Sequence, residues 1–277
     1  MRRLAMMALA LMCVLTATGC SNDSNNNNTD DSNVLRVGME CNYAPFNWTE
    51  TTASDSNVPE SNGGYCAGYD VEIAKALASS LDMELEVVKL EWDALLPALD
   101  KDVIDAIVAG MTDTPKRREN ADFTSPYYQS EMVMIVRADS EYANATSLED
   151  FSGANVLGQL NTMYDTVIDQ IPNVNHMVPL ESYSYMIASL LNNEADALTA
   201  ETPVAQGAID AHEGLAMVVF QPGQGFELDP SETSVSIAVK KGNTELLNSL
   251  ESALSNISEE ERLQMMADAS ANQPSSN

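Results

Sequence analysis

Arginine grips a small carboxylate well because its planar guanidinium offers a two-pronged donor of matching shape. One arginine of this chain stands where such a grip could work. In the stretch Ala106 to Tyr128, AIVAGMTDTPKRRENADFTSPYY, a short apolar run stops at Gly110. Thr112, Asp113 and Thr114 follow, each able to cap a helix, and then Pro115, which suits a first helical turn. Arg117 and Arg118 come one turn later. The order predicts a buried strand end, a helix N-terminus and an arginine close together. Free N–H groups and the positive end of a helix favour an anion. The chemistry implied is capture of a carboxylate, not bond breaking. The competing reading ties Arg117 up in a surface ion pair with Glu119 or Asp122.

Elements able to position such a group alternate along the chain. Val34–Gly38 reads as a first strand. After Asp70, residues Val71, Ala74, Leu77, Ala78 and Leu81 recur at helical spacing. Glu84 to Leu90 alternates as a strand, and Trp92 to Leu99 is a helix with Leu95, Leu96 and Leu99 inward. Met132 to Val136 is an apolar strand. A second alternation has strands at Val156–Leu160, Val178, Ala195–Thr199, Ala216–Phe220 and Ser234–Val239. Its helices run from Asn161-Thr162 toward Ile171, over Ser182–Asn192, from a Thr202 cap with Pro203 leading, and over Asn243–Ile257; residues 270–277 read as frayed. This pattern predicts an α/β protein with mostly parallel sheets. With 277 residues, 44% of them hydrophobic, the chain is long enough for two lobes of about 100–150 residues each. The expected division is 34–128 plus 241–277 for the first lobe and 129–240 for the second, with hinge crossings near Tyr128 and Lys241.

Lys and Arg number 13 against 42 Asp and Glu, a formal charge of −29. Such a surface argues against nucleic acid or anionic lipid as a partner. Arg2 and Arg3 precede an apolar run, Leu4 to Leu15, that is too short to span a bilayer. Ala17-Thr18-Gly19-Cys20 resembles a bacterial lipobox, which implies a signal peptide over 1–20, lipidation of Cys20 and membrane contact through the anchor alone. An ordinary signal peptide is the alternative. Residues 21–33, SNDSNNNNTDDSN, read as a flexible tether. Cys41 and Cys66 remain. In an exported protein such a pair reads as a disulfide closing a loop of about 25 residues, worth roughly 3 kcal/mol; two free thiols are the alternative. Only His176 and His212 are present, neither with a partner at ligand spacing, so no metal or other cofactor is expected.

The set Gly110-x-Thr112, Thr114-Pro115-x-Arg117 and Asp122-Phe123-Thr124-x-Pro126-Tyr127-Tyr128 resembles the polar amino-acid-binding proteins of ABC importers, the family 3 extracellular solute-binding proteins. Glu40 followed by Tyr43-Ala44-Pro45-Phe46, then Gly68-Tyr69-Asp70, and Thr199-Ala200-Glu201-Thr202-Pro203 extend the likeness. The resemblance implies a two-lobed, type II periplasmic-binding-protein fold that closes on a free amino acid outside the cytoplasm. It also implies delivery to the transmembrane subunits of a permease, and a monomer. By the same resemblance Arg117 and Thr112 clamp the ligand α-carboxylate, and the Gly110 carbonyl accepts from its ammonium. Glu201 stands where the family usually carries an aspartate for that ammonium. Thr162 and Met163 open a second-lobe helix whose N–H groups face the carboxylate, with Asn161 in place of the usual glycine. Tyr43 and Trp92 wall the ligand, and Tyr69 is a weaker candidate. Glu40 meets a distal group, which favours a polar or cationic side chain. The readings from other classes are a cyclohexadienyl or arogenate dehydratase on the same fold, and a stand-alone sensor or adhesin lipoprotein.

Overall fold

The computed structural model of the chain describes residues 33–229 and 233–274. The signal segment with its lipobox cysteine Cys20, and the tether up to Ser32, lie outside the described residues. The chain opens with β1 (Val34–Met39) and a small antiparallel sheet of β2 (Asn42–Tyr43), β3 (Asn47–Glu50), β4 (Val58–Pro59) and β5 (Tyr65–Ala67). Next come α1 (Tyr69–Ser80), β6 (Glu84–Lys89), α2 (Trp92–Asp100), β7 (Ala106–Ile107) and β8 (Ala121–Gln129). The second lobe holds β9 (Met132–Arg137), β10 (Asn155–Leu157), α3 (Met163–Thr166), β11 (Asn175–His176), α4 (Tyr183–Leu191), β12 (Ala197–Glu201), α5 (Thr202–Ala211) and β13 (Leu215–Val218). β14 (Ser234–Lys240), α6 (Thr244–Ser255) and α7 (Glu259–Asn272) complete the chain.

The first main sheet runs β6-β1-β7-β14-β8 and the second β11-β10-β12-β9-β13. Each is mixed in equal measure, with two parallel and two antiparallel pairings, and not mostly parallel. The antiparallel half arises from the crossings. β8 leaves the first lobe, β9 enters the second running back along β12, and β14 returns between β7 and β8.

The second crossing therefore lies ahead of Ser234 and not near Lys241. The strand Ser234–Val239 was legible, but its partners are first-lobe strands, which no local pattern reveals. The two crossings touch: the Ser130 N–H donates to the Thr233 carbonyl at 3.1 Å. Two adjacent connections restrict the lobes to a hinge motion.

The polar excursion between Thr49 and Gly64 is the β3–β4–β5 hairpin region, and Cys41 and Cys66 are joined across it with Cα atoms 5.6 Å apart. Two expected helices shrink. After Pro115 there is only a 3-10 turn, Arg117–Glu119. The segment from Thr162 holds four residues of α-helix and then a 3-10 turn, Val167–Gln170. Val178 is not in a strand; β11 ends at His176 and Val178 is exposed. α7 continues through Asn272, past residue 270 where fraying was expected; residues 275–277 lie outside the described residues. Ser258 caps α7 by accepting from the Glu261 N–H while the Glu261 carboxylate accepts from the Ser258 N–H, a capping box visible in the sequence.

The largest apolar cluster passes from the first lobe to the second through aromatic rings. Phe46, fully buried, stacks on Tyr43 at 5.2 Å and meets Tyr69 and Tyr128 edge-on. Tyr43 in turn touches Tyr183 of the second lobe at 5.2 Å. Such ring pairs add roughly 0.5–1.5 kcal/mol each beyond burial, and here they fix the orientation of Tyr43.

Candidate functional site

Glu40, Tyr43, Trp92, Gly110, Thr112 and Arg117 of the first lobe line one cavity with Gln159, Thr162 and Tyr164 of the second. Its first-lobe face is built on strand ends. β1 delivers Glu40 and β7 leads to Gly110. Gly110 adopts φ +59°, and a Cβ there would lie 2.8 Å from the Tyr43 ring, so only glycine lets the two approach. The Gly110 N–H donates to the Tyr127 hydroxyl oxygen at 2.9 Å, and Tyr127 donates to buried Asp70 at 2.6 Å.

Arg117 is held from three sides. It donates to the Thr112 carbonyl at 2.7 Å, reaches the Asn161 carbonyl across the lobes at 3.4 Å, and lies over the Trp92 ring at 5.2 Å. The ion-pair reading fails. Asp122 is bound to Lys241 and to the Gly242 N–H, Asp113 to Arg118, and among the described residues no carboxylate pairs with Arg117. Burial pulls its pKa down to about 10, against the pull of Tyr164 and Asp113. An enclosed guanidinium without a counter-charge favours an incoming anion. Thr112 is 4% exposed and lines the cavity beside Arg117. The helix N-terminus expected to help them is absent, so the anion preference rests on the arginine and the hydroxyl.

Glu40 is 5% exposed, and burial together with Glu91 pushes its carboxyl up to about 7, against the pull of Gln159 and Lys89. Gln159, which the sequence reading passed over, donates to the Glu181 carbonyl at 3.1 Å and faces the cavity. Tyr164 was also missed. Gln159 precedes α3 and Tyr164 lies within it; α3 lies close against β10 because Gly158 has no side chain, and a Cβ there would be 2.4 Å from the Asp165 Cα. Thr162 donates to the Gln159 carbonyl at 2.7 Å. Asn161 adopts φ +59°, a conformation that glycine and asparagine tolerate best.

Three sequence candidates stand away from the cavity lining. Met163 starts α3 but does not line the space. Tyr69 is a core residue whose hydroxyl donates to the Tyr127 carbonyl at 2.8 Å. Glu201, 1% exposed, accepts from Tyr43 across the lobes and from Ser130 of the hinge at 2.7 Å. Burial pushes its carboxyl up to about 7 although the Tyr43 and Ser130 hydroxyls stabilise the charge. Among the described residues no group of three or more His, Cys, Asp or Glu side chains could hold a metal ion.

Residues 35–269 match the model of the bacterial extracellular solute-binding proteins, family 3. The chain belongs to that family. It is 26% identical over 266 residues to the arginine-binding extracellular protein ArtP of Bacillus subtilis, covering 94% of this chain and 95% of that one. It is 24% identical over 265 residues to the L-cystine-binding protein TcyJ of Escherichia coli, with 96% and 92% covered. Among solved structures, an ancestral arginine-binding protein bound to arginine superposes with a TM-score of 0.69 at 26% identity, covering 85% of this chain and 97% of that one. The Streptococcus pneumoniae protein AbpA bound to L-arginine shares the fold, with a TM-score of 0.73 at 24% identity and 87% and 96% covered. These neighbours carry the two-lobed type II architecture described above. Family membership places the protein outside the cytoplasm, and among the described residues no helix is long and apolar enough to cross a membrane.

Proposed function

We propose that the protein is the receptor of an ABC importer, closing its lobes on one free amino acid with a polar or cationic side chain and passing it to the permease. The observation that carries this reading is the unpaired Arg117 guanidinium, stacked on Trp92 beside the Thr112 hydroxyl. The ligand α-carboxylate docks there, and a charged hydrogen bond of this kind contributes roughly 1.5–3 kcal/mol. Thr162 approaches from the second lobe, so docking also favours closure. Glu40 and Gln159 receive the side chain, and a carboxylate in that place favours a cation or an amide. The printed names of relatives support the same class: arginine, histidine and L-cystine for curated proteins, arginine and glutamine for solved complexes. Glu201 serves the ligand ammonium only if Tyr43 or Ser130 yields a place on it. Cys20 carries the lipid anchor, Cys41–Cys66 is oxidised in the exported protein, and one chain suffices for the site.

A thermal-shift screen tests this reading with a soluble form starting after Cys20, refolded to strip bound ligand, against the twenty amino acids. A ligand at about a thousand times its Kd stabilises by roughly 4 kcal/mol, a shift of several degrees. One or two polar or cationic hits are expected. A flat panel, or turnover of prephenate or arogenate, overturns the reading.

A further inference from the structure

Asp70 is wholly buried at the start of α1, yet it does not line the ligand cavity. A buried carboxylate is costly, and apolar groups of the same volume often serve a core as well or better. Its charge suits the first turn of α1, where the helix end is positive. Its hydrogen bonds lead elsewhere. Asn47 Nδ2 donates to Asp70 Oδ2 at 2.7 Å, and the Tyr127 hydroxyl donates to Oδ1 at 2.6 Å. The same hydroxyl oxygen accepts from the Gly110 N–H at 2.9 Å, and that N–H also helps to stabilise the Asp70 charge.

Tyr127 is aimed there by an irregularity of β8. Tyr128 pairs with Val235 and Pro126 with Ser236, so Tyr127 is the extra residue of a bulge. Such a bulge turns a side chain out of the regular alternation of a strand. The Tyr127 carbonyl accepts from the Tyr69 hydroxyl at 2.8 Å, and the two rings lie 5.8 Å apart. Tyr69 and Asp70 together hold Tyr127 at its backbone, its ring and its hydroxyl. Gly110 is fixed in turn. Beyond it, the Met111 carbonyl accepts from the Ser236 N–H at 2.9 Å and Thr112 bridges to Val235. At Gly110 itself a side-chain hydroxyl, not a neighbouring strand, receives the N–H. The left-handed bend at Gly110 sets the course of the chain toward Thr112 and Arg117 in the cavity.

We propose that Asp70 is a positioning residue for ligand capture, acting through the Tyr127 hydroxyl on Gly110 and so on the clamp formed by Thr112 and Arg117. The inference rests on the reading of the cavity as an amino-acid site. Two variants test it. Tyr127→Phe keeps the ring and the charge of Asp70, so the helix loses nothing; Asp70→Asn keeps an oxygen that can accept from Tyr127. Each is titrated calorimetrically with the tightest binder of the parent among the twenty common amino acids, and the amide resonance of Gly110 is followed by NMR in the ligand-free protein. Tyr127→Phe is expected to weaken binding at least threefold and to move the Gly110 amide proton upfield, as loss of a hydrogen bond does. Asp70→Asn should do both to a smaller extent, weakening binding about twofold, and it carries the test if Tyr127→Phe does not fold. A role confined to packing or to the helix would lower the melting temperature and leave affinity unchanged. If both variants bind the amino acid as the parent does, if Asp70→Asn alters neither affinity nor the resonance, or if affinity falls while the resonance stays in place, the relay is wrong and the receptor reading stands. If none of the twenty binds the parent, both fall.

Discussion

The Arg117 guanidinium carbon stands 5.2 Å from the centre of the Trp92 ring, so the fork lies against an aromatic face while one prong donates to the Thr112 carbonyl at 2.7 Å. A long side chain that would lose much rotamer freedom on binding is thus already fixed. Preorganisation of this kind lowers the entropic cost of capturing a ligand. Because the contacts are a stack and a carbonyl, the positive charge is left for an incoming carboxylate.

Arg117→Ala should weaken every amino-acid ligand by at least tenfold, since it removes a group common to all of them. Arg117→Lys should recover little, because an ammonium neither stacks as a plane nor binds a carboxylate with two parallel bonds. Calorimetric titration of both variants with the best ligand checks this. Affinity equal to the parent in Arg117→Ala would remove the clamp.

Glu40 should set selectivity and its pH dependence. Its carboxyl is pushed up to about 7 by burial and Glu91, so it is mostly neutral at pH 6 and mostly charged at pH 8. Affinity for a cationic amino acid should therefore rise across that window, while affinity for an uncharged polar one stays level. Glu40→Gln should flatten the profile and reorder the ligand ranking in favour of uncharged side chains. An unchanged ranking would place Glu40 outside the recognition chemistry.

The sequence made the clamp legible and left its surroundings obscure, for physical reasons. Arg117, Thr112, Gly110, Glu40, Tyr43, Trp92 and Thr162 could be named because they match positions of the family that the sequence resembles, and all of them line the cavity. Gln159 and Tyr164 escaped notice because α3 is only four residues long, too short to show a helical period. Thr112-Asp113-Thr114-Pro115 carries the signals of a helix start, yet the chain makes a 3-10 turn and then enters β8 at Ala121. Local capping preference yields there to the tertiary demand for a strand. The return of β14 to the first sheet is a long-range pairing, invisible to any window of a few residues. Glu201 shows a third kind of difficulty. Its position was readable, but its partners, Tyr43 and Ser130, come from another lobe and from the hinge.

Stability should fall as pH rises from about 5 to about 8. Glu40 and Glu201 are raised from 4.5 to about 7 and Asp70 from 3.8 to about 6, all first by burial. Between the ordinary and the raised values the folded state holds more protons than the unfolded one, so its advantage is full below the ordinary value and is lost as pH passes through 6 to 7. His176, raised by Asp165 and Asp169 against its desolvation, acts with the same sign. The lowered carboxyls of Asp122, Asp150 and Glu261 act only in more acidic solution. Each buried carboxyl contributes on the order of 1 kcal/mol across the window. Melting temperatures of the ligand-free protein should decline by several degrees, and less steeply in Glu201→Gln; a profile that rises with pH would contradict the assignment.

Cys41–Cys66 should matter to the fold more than to the clamp. The bond spans 25 residues of sequence and pins the β3–β4–β5 excursion beside Glu40. Replacing both cysteines with serine should lower unfolding stability by roughly 3 kcal/mol, read as a shift in the urea midpoint that a reductant reproduces in the parent. Affinity for the ligand should change less than affinity in Arg117→Ala does. Equal urea midpoints with and without reductant would mean that the pair does not constrain the unfolded chain.

Closure should be governed in part by Asp93 and Asn161, which face each other from α2 and from the loop before α3. The Asn161 amide donates to Asp93 Oδ1 at 2.8 Å, and the Asn161 carbonyl receives Arg117 in the same loop. Both Asp93 and Asn161 are exposed, so the bond forms and breaks against water and contributes about 0.5–1.5 kcal/mol. Breaking it costs the closed state and leaves the open state untouched. Ligand release should therefore accelerate roughly two- to tenfold in Asp93→Ala, with the association rate little changed. Asn161→Gly removes the same donor while keeping the left-handed backbone relaxed, and should behave alike. The double variant should release no faster than either single one, because one bond can be lost only once. Stopped-flow displacement measures all three. Additive acceleration in the double variant would show that the two side chains act separately and that their contact across the cleft does not hold the lobes together.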